Sequence, residues 1–193
     1  MTGRSDTLQG WQQEARTAFA AALDAGHPAR LTSDAVAELA TPVSAIIAIG
    51  KAAAAMAIAA RDFGRESGRD FSAINPEVPG IIVTNDENFV VVDGMECHAS
   101  AHPVPDERGL VAANAVTQMA KNLTGDDHLL LLISGGGSAL LPAPVPGVSL
   151  AEKQQLNEAL LASGMDIHQM NAIRRLFSTL KGGRLARLAQ PAK

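Results

Sequence analysis

The sequence predicts a three-layer α/β/α domain built on a largely parallel sheet. Three observations predict it. Two short apolar runs, Val43–Ile49 and Leu129–Ile133, are continuous or nearly so rather than alternating, which marks strands covered on both faces. Strand candidates alternate with helical patterns, as parallel connections require. The apolar residues are almost all aliphatic: 47% of the 193 residues are hydrophobic, yet there are five Phe, one Trp and no Tyr. Alanine-faced helices packed close on a sheet would give such a composition.

The elements follow in order. Leu8, Trp11, Ala15, Phe19, Ala22 and Leu23 recur at helical spacing, predicting an amphipathic helix over 6–25 that Gly26 and His27-Pro28 end. A short helix follows Ser33. The strand over 43–49 closes at Gly50-Lys51, and Ala52 to Phe63 reads as a helix. Ile81–Thr84 and Phe89–Val92 read as strands, and Met95–Ala99 as a third short one. Asp106 starts a helix with Ala112, Val116, Met119 and Leu123 on one face. The strand over 129–133 runs into Ser134-Gly135-Gly136-Gly137-Ser138. Ser149 and Glu152 have capping-box spacing and open a helix to about Gly164. Asp166 and Gln169 open another to about Leu180, and Lys181-Gly182-Gly183 precedes a last short helical piece. Both continuous apolar runs are expected in the interior of the sheet, as neighbours or near-neighbours.

Composition excludes several classes of function. Sixteen basic against twenty acidic residues give a net charge of −4, which argues against a nucleic-acid coat. The lone Cys97 rules out an internal disulfide framework. No apolar run approaches the ~20 residues of a membrane helix. The first residues lack the apolar stretch of a signal peptide. The expectation is a soluble, cytoplasmic protein with no nucleic-acid or membrane partner.

Four groups of residues could carry chemistry. Lys51 follows a buried strand and sits at the start of a helix. A helix N-terminus disfavours a cation but welcomes an anion that the lysine and the free N–H groups would grip together. The alternative is a solvated lysine with its stem along the helix. The triple glycine after the second buried strand lets the backbone turn sharply and present successive N–H groups to an anion, with the Ser134 and Ser138 hydroxyls beside them. The alternative is a flexible turn. Neither loop is a nucleotide motif of the usual kinds. Ala45 and Ala52 break the phosphate-loop pattern, and Leu140 stands where a dinucleotide fingerprint needs its third glycine. The basic stretch after Asp166 holds Arg174, Arg175, Lys181, Arg184, Arg187 and Lys193 with no acid among them. It reads as phosphate or carboxylate neutralisation or as a solvated helix face. Cys97, His98 and His102 have no second ligand pair, so no metal site is assigned.

With these residues in view, the chain resembles the glycerate 2-kinase family, whose older label is hydroxypyruvate reductase of tartrate utilisation. Ile133-Ser134-Gly135-Gly136-Gly137-Ser138-Ala139-Leu140-Leu141-Pro142 is similar to the family's signature loop. Gly50-Lys51-Ala52-Ala53-Ala54-Ala55-Met56-Ala57 resembles its strand–Gly–Lys–helix, and His102-Pro103-Val104-Pro105-Asp106-Glu107 its central His-Pro segment. Asn171-Ala172-Ile173-Arg174-Arg175 and Lys181-Gly182-Gly183-Arg184-Leu185-Ala186 resemble the motifs that close its first half. Order and spacing agree along nearly the whole chain. The departures are Ala101, where Gly or Ser usually precedes His102, and Phe177 in a stretch that is usually more basic.

The resemblance implies a Rossmann-like domain, residues 1–193 being the N-terminal one of two, with the second domain and its arginine absent and a further strand expected directly after Lys193. It implies transfer of the ATP γ-phosphoryl group to the 2-hydroxyl of glycerate, with Mg2+ or another divalent cation. Lys51 is then the catalytic cation. Gly50, Ser134, Gly135, Gly136, Gly137, Ser138, His102, Arg174 and Lys181 line the substrate and nucleotide site. The fragment alone is expected to be inactive, and its open edge to favour homo-oligomers. Two other functions remain: an NAD(P)H-dependent hydroxypyruvate reductase, against which the failed fingerprint counts, and a non-catalytic fragment or binding module.

Overall fold

Continuous apolar strands become a sheet with both faces covered. The computed structural model describes residues 3–66, 74–75 and 77–193. Four strands, β1 (Ala45–Ile49), β2 (Gly80–Asn85), β3 (Met95–Ser100) and β4 (Leu129–Ile133), form one all-parallel sheet in the order β3-β2-β1-β4. Eight helices surround it among the described residues: α1 (Gly3–Ala25), α2 (Pro28–Val36), α3 (Ala53–Glu66), α4 (Glu107–Asn122), α5 (Gly137–Leu140), α6 (Leu150–Ala162), α7 (Ile167–Leu176) and α8 (Arg184–Leu188).

Strand alternation splits the core in two. Ile46, Ala48, Ile82, Leu130 and Leu132 face α2 and α3, where Ala53, Ala57 and Ala60 of α3 are fully buried. These small side chains let the helix backbone approach the sheet closely. Ile47, Ile49, Ile81, Val83, Leu129 and Leu131 face α4, α5 and α8, against Val116, Leu140 and Leu185. Every residue of β1 and β2 is buried. The three-layer expectation therefore holds.

Local signals are also met. Ser149 with Glu152 and Asp166 with Gln169 form complete capping boxes. The Asp106 side chain accepts from Gly109 N at the start of α4.

Four expectations need correction. Phe89–Val92 is not a strand: a 3-10 turn at Asp86–Asn88 ends β2, and the run that follows is loop, with Val91 80% exposed. β4 does not lie inside the sheet. Among the described residues it pairs with β1 alone, and on its outer side only the first residue is met, by Leu129 N donating to Lys193 O at 2.9 Å. A continuous apolar run reports cover above and below a strand, not a neighbour on each side. The helix after Asp166 stops at Leu176, short of Leu180. Finally, α1 forms but its stripe stays open among the described residues: Leu8, Trp11, Phe19 and Leu23 are between 55% and 67% exposed.

Candidate functional site

The strand order puts a reversal between β1 and β4. The chain builds outward from β1 to β2 and β3, then returns to β1's other side. In such sheets ligands bind beyond the carboxyl ends of the strands at this reversal. Ile49 and Ile133 are paired in register, so Gly50-Lys51 and Ser134-Gly135 leave the sheet side by side.

The two corners are bolted to each other. Lys51 N donates to Gly135 O at 2.8 Å, Ala52 N to Ser134 Oγ at 3.0 Å, and Ser134 N to Ile49 O at 2.9 Å. Gly50 must be glycine here. Its φ is +123°, and a Cβ would fall on Ser134, 2.6 Å from the carbonyl oxygen. Sequence reasoning placed Lys51 in the first turn of a helix with free N–H groups. The structure corrects this: α3 begins at Ala53, and the Lys51 and Ala52 N–H groups are already engaged.

The free donors lie in the other loop. Gly135, Gly136, Gly137 and Ser138 N–H have no acceptor among the described residues. Gly136 has φ +93° and precedes the single turn of α5. Four successive unaccepted N–H groups at a left-handed bend form a concavity suited to an anion. A Cβ at Gly136 would stand 3.2 Å from Lys51 Cγ and 3.3 Å from His102 Cδ2. The lysine stem, the imidazole and the loop therefore converge at Gly136. Lys51 itself is exposed.

His102 is carried there by β3. The segment after β3 turns through a cis His102–Pro103 bond. Asp106 anchors it, accepting from Ala101 N at 3.3 Å and Gly109 N at 3.2 Å. Arg108 bridges Asp106 (2.6 Å) and Asp86 (2.6 and 3.0 Å), joining the ends of β2 and β3. Burial raises the Asp106 carboxyl, but Arg108 and the two N–H donors outweigh it and hold the group below the usual carboxylate range. Gln154 Nε2 donates to Pro105 O at 2.6 Å and ties α6 to the same segment.

Three of the basic residues, Arg174, Arg175 and Lys181, gather at the loop's Ser138 end, whereas Lys193 lies at the start of β4. Lys181 Nζ donates to Ser138 O at 3.0 Å. Arg174 and Lys181 line a cavity of about 430 Å³ with Ser138, His168, Asn171 and Arg175. Burial, with Lys153 and Arg174 nearby, pushes the Lys181 amine down to about 8. Lys153 was missed in the sequence. Its four-residue spacing from Asn157, which lines the same small cavity, was the available signal. Beside the loop lies an apolar cavity of about 420 Å³, walled by Ile49, Leu131, Ile133, Leu180 and Leu185.

The Cys97 region does not join the site. Cys97 packs into the α2–α3 side of the core, whereas His98 Nε2 meets Glu96 Oε1 at 2.8 Å. Among the described residues no three His, Cys, Asp or Glu side chains are placed to share an ion.

Comparison with known proteins places the chain in a family. A family profile described as "Domain of unknown function (DUF4147)" matches residues 14–193. The chain is 35% identical over 173 residues to a D-glycerate 2-kinase of Thermotoga maritima, covering 89% of this chain and 39% of that one. The chain belongs to the DUF4147 family of glycerate 2-kinases. The crystal structure of a glycerate kinase from Thermotoga maritima superposes with a TM-score of 0.83 at 33% identity, over 96% of this chain and 43% of that one. A protein of Agrobacterium vitis that carries a hydroxypyruvate reductase name is 41% identical over 148 residues, 77% of this chain and 36% of its own. The chain thus spans about two fifths of the length of these relatives. Among the described residues no helix is long and apolar enough to cross a membrane.

Proposed function

We propose that this chain is the N-terminal domain of a two-domain glycerate 2-kinase that transfers the γ-phosphoryl group of ATP to the 2-hydroxyl of D-glycerate. The hydroxyl oxygen forms the new P–O bond as the bond to the ADP oxygen breaks. The electron pair leaves with ADP, and the hydroxyl proton passes to solvent. The observation that carries the reading is the convergence at Gly136: four open N–H groups, the Lys51 cation and the His102 ring at the sheet's reversal point. Phosphoryl transfer calls for positioning and charge neutralisation more than covalent help, and such groups supply both. Lys51 neutralises charge on the transferring group or on the glycerate carboxylate. The loop N–H groups hold an anion without any rearrangement. ATP is expected to bring a divalent cation on its phosphates.

The domain alone is expected to turn over little. Phosphoryl transfer needs donor and acceptor held in line, and a cleft between domains supplies groups from both walls. The protein is read as cytoplasmic, with glycerate as its small-molecule partner. The open edge of β4 favours self-association.

Hydroxypyruvate reduction is the second reading, favoured by the name of the Agrobacterium relative. A dinucleotide pyrophosphate would need the N–H groups at the first strand–helix turn, and those of Lys51 and Ala52 are taken by Gly135 and Ser134. One experiment separates the readings. A full-length family member and the 193-residue chain are each assayed for ADP release with D-glycerate, ATP and magnesium, and for NADH oxidation with hydroxypyruvate. Glycerate-dependent ADP release by the longer protein alone supports the proposal. NADH oxidation without kinase activity overturns it. Equal turnover of the two chains would refute the need for a second wall.

A further inference from the structure

We propose that Lys153, Arg174 and Lys181, at the Ser138 end of the glycine loop, form a binding site for a multiply charged phosphate chain, distinct from the Lys51–His102 corner at Gly136. The assignment rests on the phosphotransferase reading for its choice of a polyphosphate.

Lys153 is the key residue. It is 5% exposed, in the second turn of α6. A lysine buried this deeply ordinarily has a carboxylate partner, because an unpaired charge away from water is costly. Here, among the described residues, its Nζ reaches only a backbone carbonyl, that of Phe177, at 2.7 Å. The other two cations are alike. Arg174 Nε donates to Asn157 Oδ1 at 3.1 Å, and Lys181 Nζ to Ser138 O. Among the described residues none of the three pairs with an acid, and neither cavity they line has an Asp or Glu in its wall. Burial lowers the affinity of Lys153 for its proton; burial lowers that of Lys181 too, with Lys153 and Arg174 adding to it.

Three cations held within mutual repulsion and supplied with no counter-charge leave the site two or three negative charges short. Asn171 and His168 add neutral polar groups to the same wall. A single carboxylate would leave most of that charge unbalanced, whereas a di- or triphosphate matches it. The Lys51 corner holds one cation, which suits a singly charged acceptor. The glycine loop then stands between the two, with Gly136 at the Lys51 corner and Ser138 at the cation cluster. A purely structural role for Lys153 exists, since Phe177 is the C-cap of α7 and a lysine there satisfies a helix-end carbonyl. That role explains one hydrogen bond but not the gathering of a buried lysine and two half-buried cations at one place.

Inorganic pyrophosphate is the probe. The 193-residue chain is titrated by calorimetry, and the lysine Nζ resonances are followed by NMR. Saturable binding is expected, with the Lys153 and Lys181 signals shifting more than that of Lys51. Lys153→Met should weaken binding roughly 10- to 100-fold, the worth of a charge-assisted hydrogen bond, and Lys153→Arg should restore most of it. If Lys153→Met fails to fold, the resonance shifts decide. No binding, unchanged affinity in a folded Lys153→Met, or a larger shift at Lys51 overturns the site and leaves Lys153 as the cap of α7. Tighter binding of 2-phosphoglycerate than of pyrophosphate at the same lysines also overturns it, by assigning the cluster to the phosphorylated product. Failure of the kinase reading shows separately, as absence of glycerate phosphorylation by a full-length homologue, and leaves the pyrophosphate result standing.

Discussion

Replacing Gly50 with alanine tests the bolted corners directly. The new methyl group meets two costs. Gly50 has φ +123°, where an L side chain is strained by about 1–3 kcal/mol. Its Cβ would also fall on backbone that cannot rotate away, 2.6 Å from Ser134 O and 2.8 Å from Ser134 C, and such overpacking costs about 1–3 kcal/mol more. Gly147 separates the two terms, because its φ is +84° with nothing within 4 Å of the added Cβ. For a chain of this length each kcal/mol moves the melting temperature about 2–4 °C. Gly147→Ala should lower it about 2–12 °C, and Gly50→Ala by about a further 2–12 °C. Circular dichroism melts of the three proteins supply the comparison. If Gly50→Ala melts with Gly147→Ala or above it, Ser134 yields at no cost, and the rigid coupling of the two loops is wrong.

Other perturbations reach the rest of the site. Lys51→Ala should cut turnover of a full-length homologue about 100- to 1,000-fold while its melting temperature barely moves, because Lys51 is exposed and its backbone bond to Gly135 survives; a large loss of stability with kcat preserved would make the residue structural. Lys181 has its folded amine depressed to about 8 from an ordinary value of 10.5, so an anion binding there above pH 8 must bring a proton with it. Affinity for sulfate, which stays fully ionised across this range, should therefore be flat below about pH 8 and fall as pH rises beyond it. By the same sign, the penalty on the folded state is full below pH 8 and fades between 8 and 10.5, so this group adds stability as pH rises through that window; calorimetry across pH 6–10 reads both. Asp106→Ala removes the cap of α4 and the Ala101 bond, and should cost about 1–2 kcal/mol, read as a drop of about 2–8 °C in melting temperature.

The amino-acid sequence by itself determined the architecture and half of the site. Val43–Ile49 and Leu129–Ile133 read as strands covered above and below because they are short, nearly continuous apolar runs that end at glycine-containing turns. The two capping boxes were readable because a cap is a bond between residues three apart. Gly50-Lys51 and the triple glycine stood out because permissive backbone next to a buried strand is a local property. Only the tertiary structure decided the rest, since it depends on which distant groups meet. Pairing in register at Ile49 and Ile133 spends the Lys51 and Ala52 N–H groups on the neighbouring loop, so the open donors lie at Gly135–Ser138 instead. Phe89–Val92 has the composition of a strand, but the turn at Asp86–Asn88 carries it off the sheet edge. β4 looks like an interior strand because side-chain cover and sideways hydrogen bonding are independent, and composition reports only the first. Lys153 in its sequence is an ordinary helix-surface lysine; it becomes a buried cation when α6 folds against α7 and sets its amine among Arg174, Lys181 and Ser138.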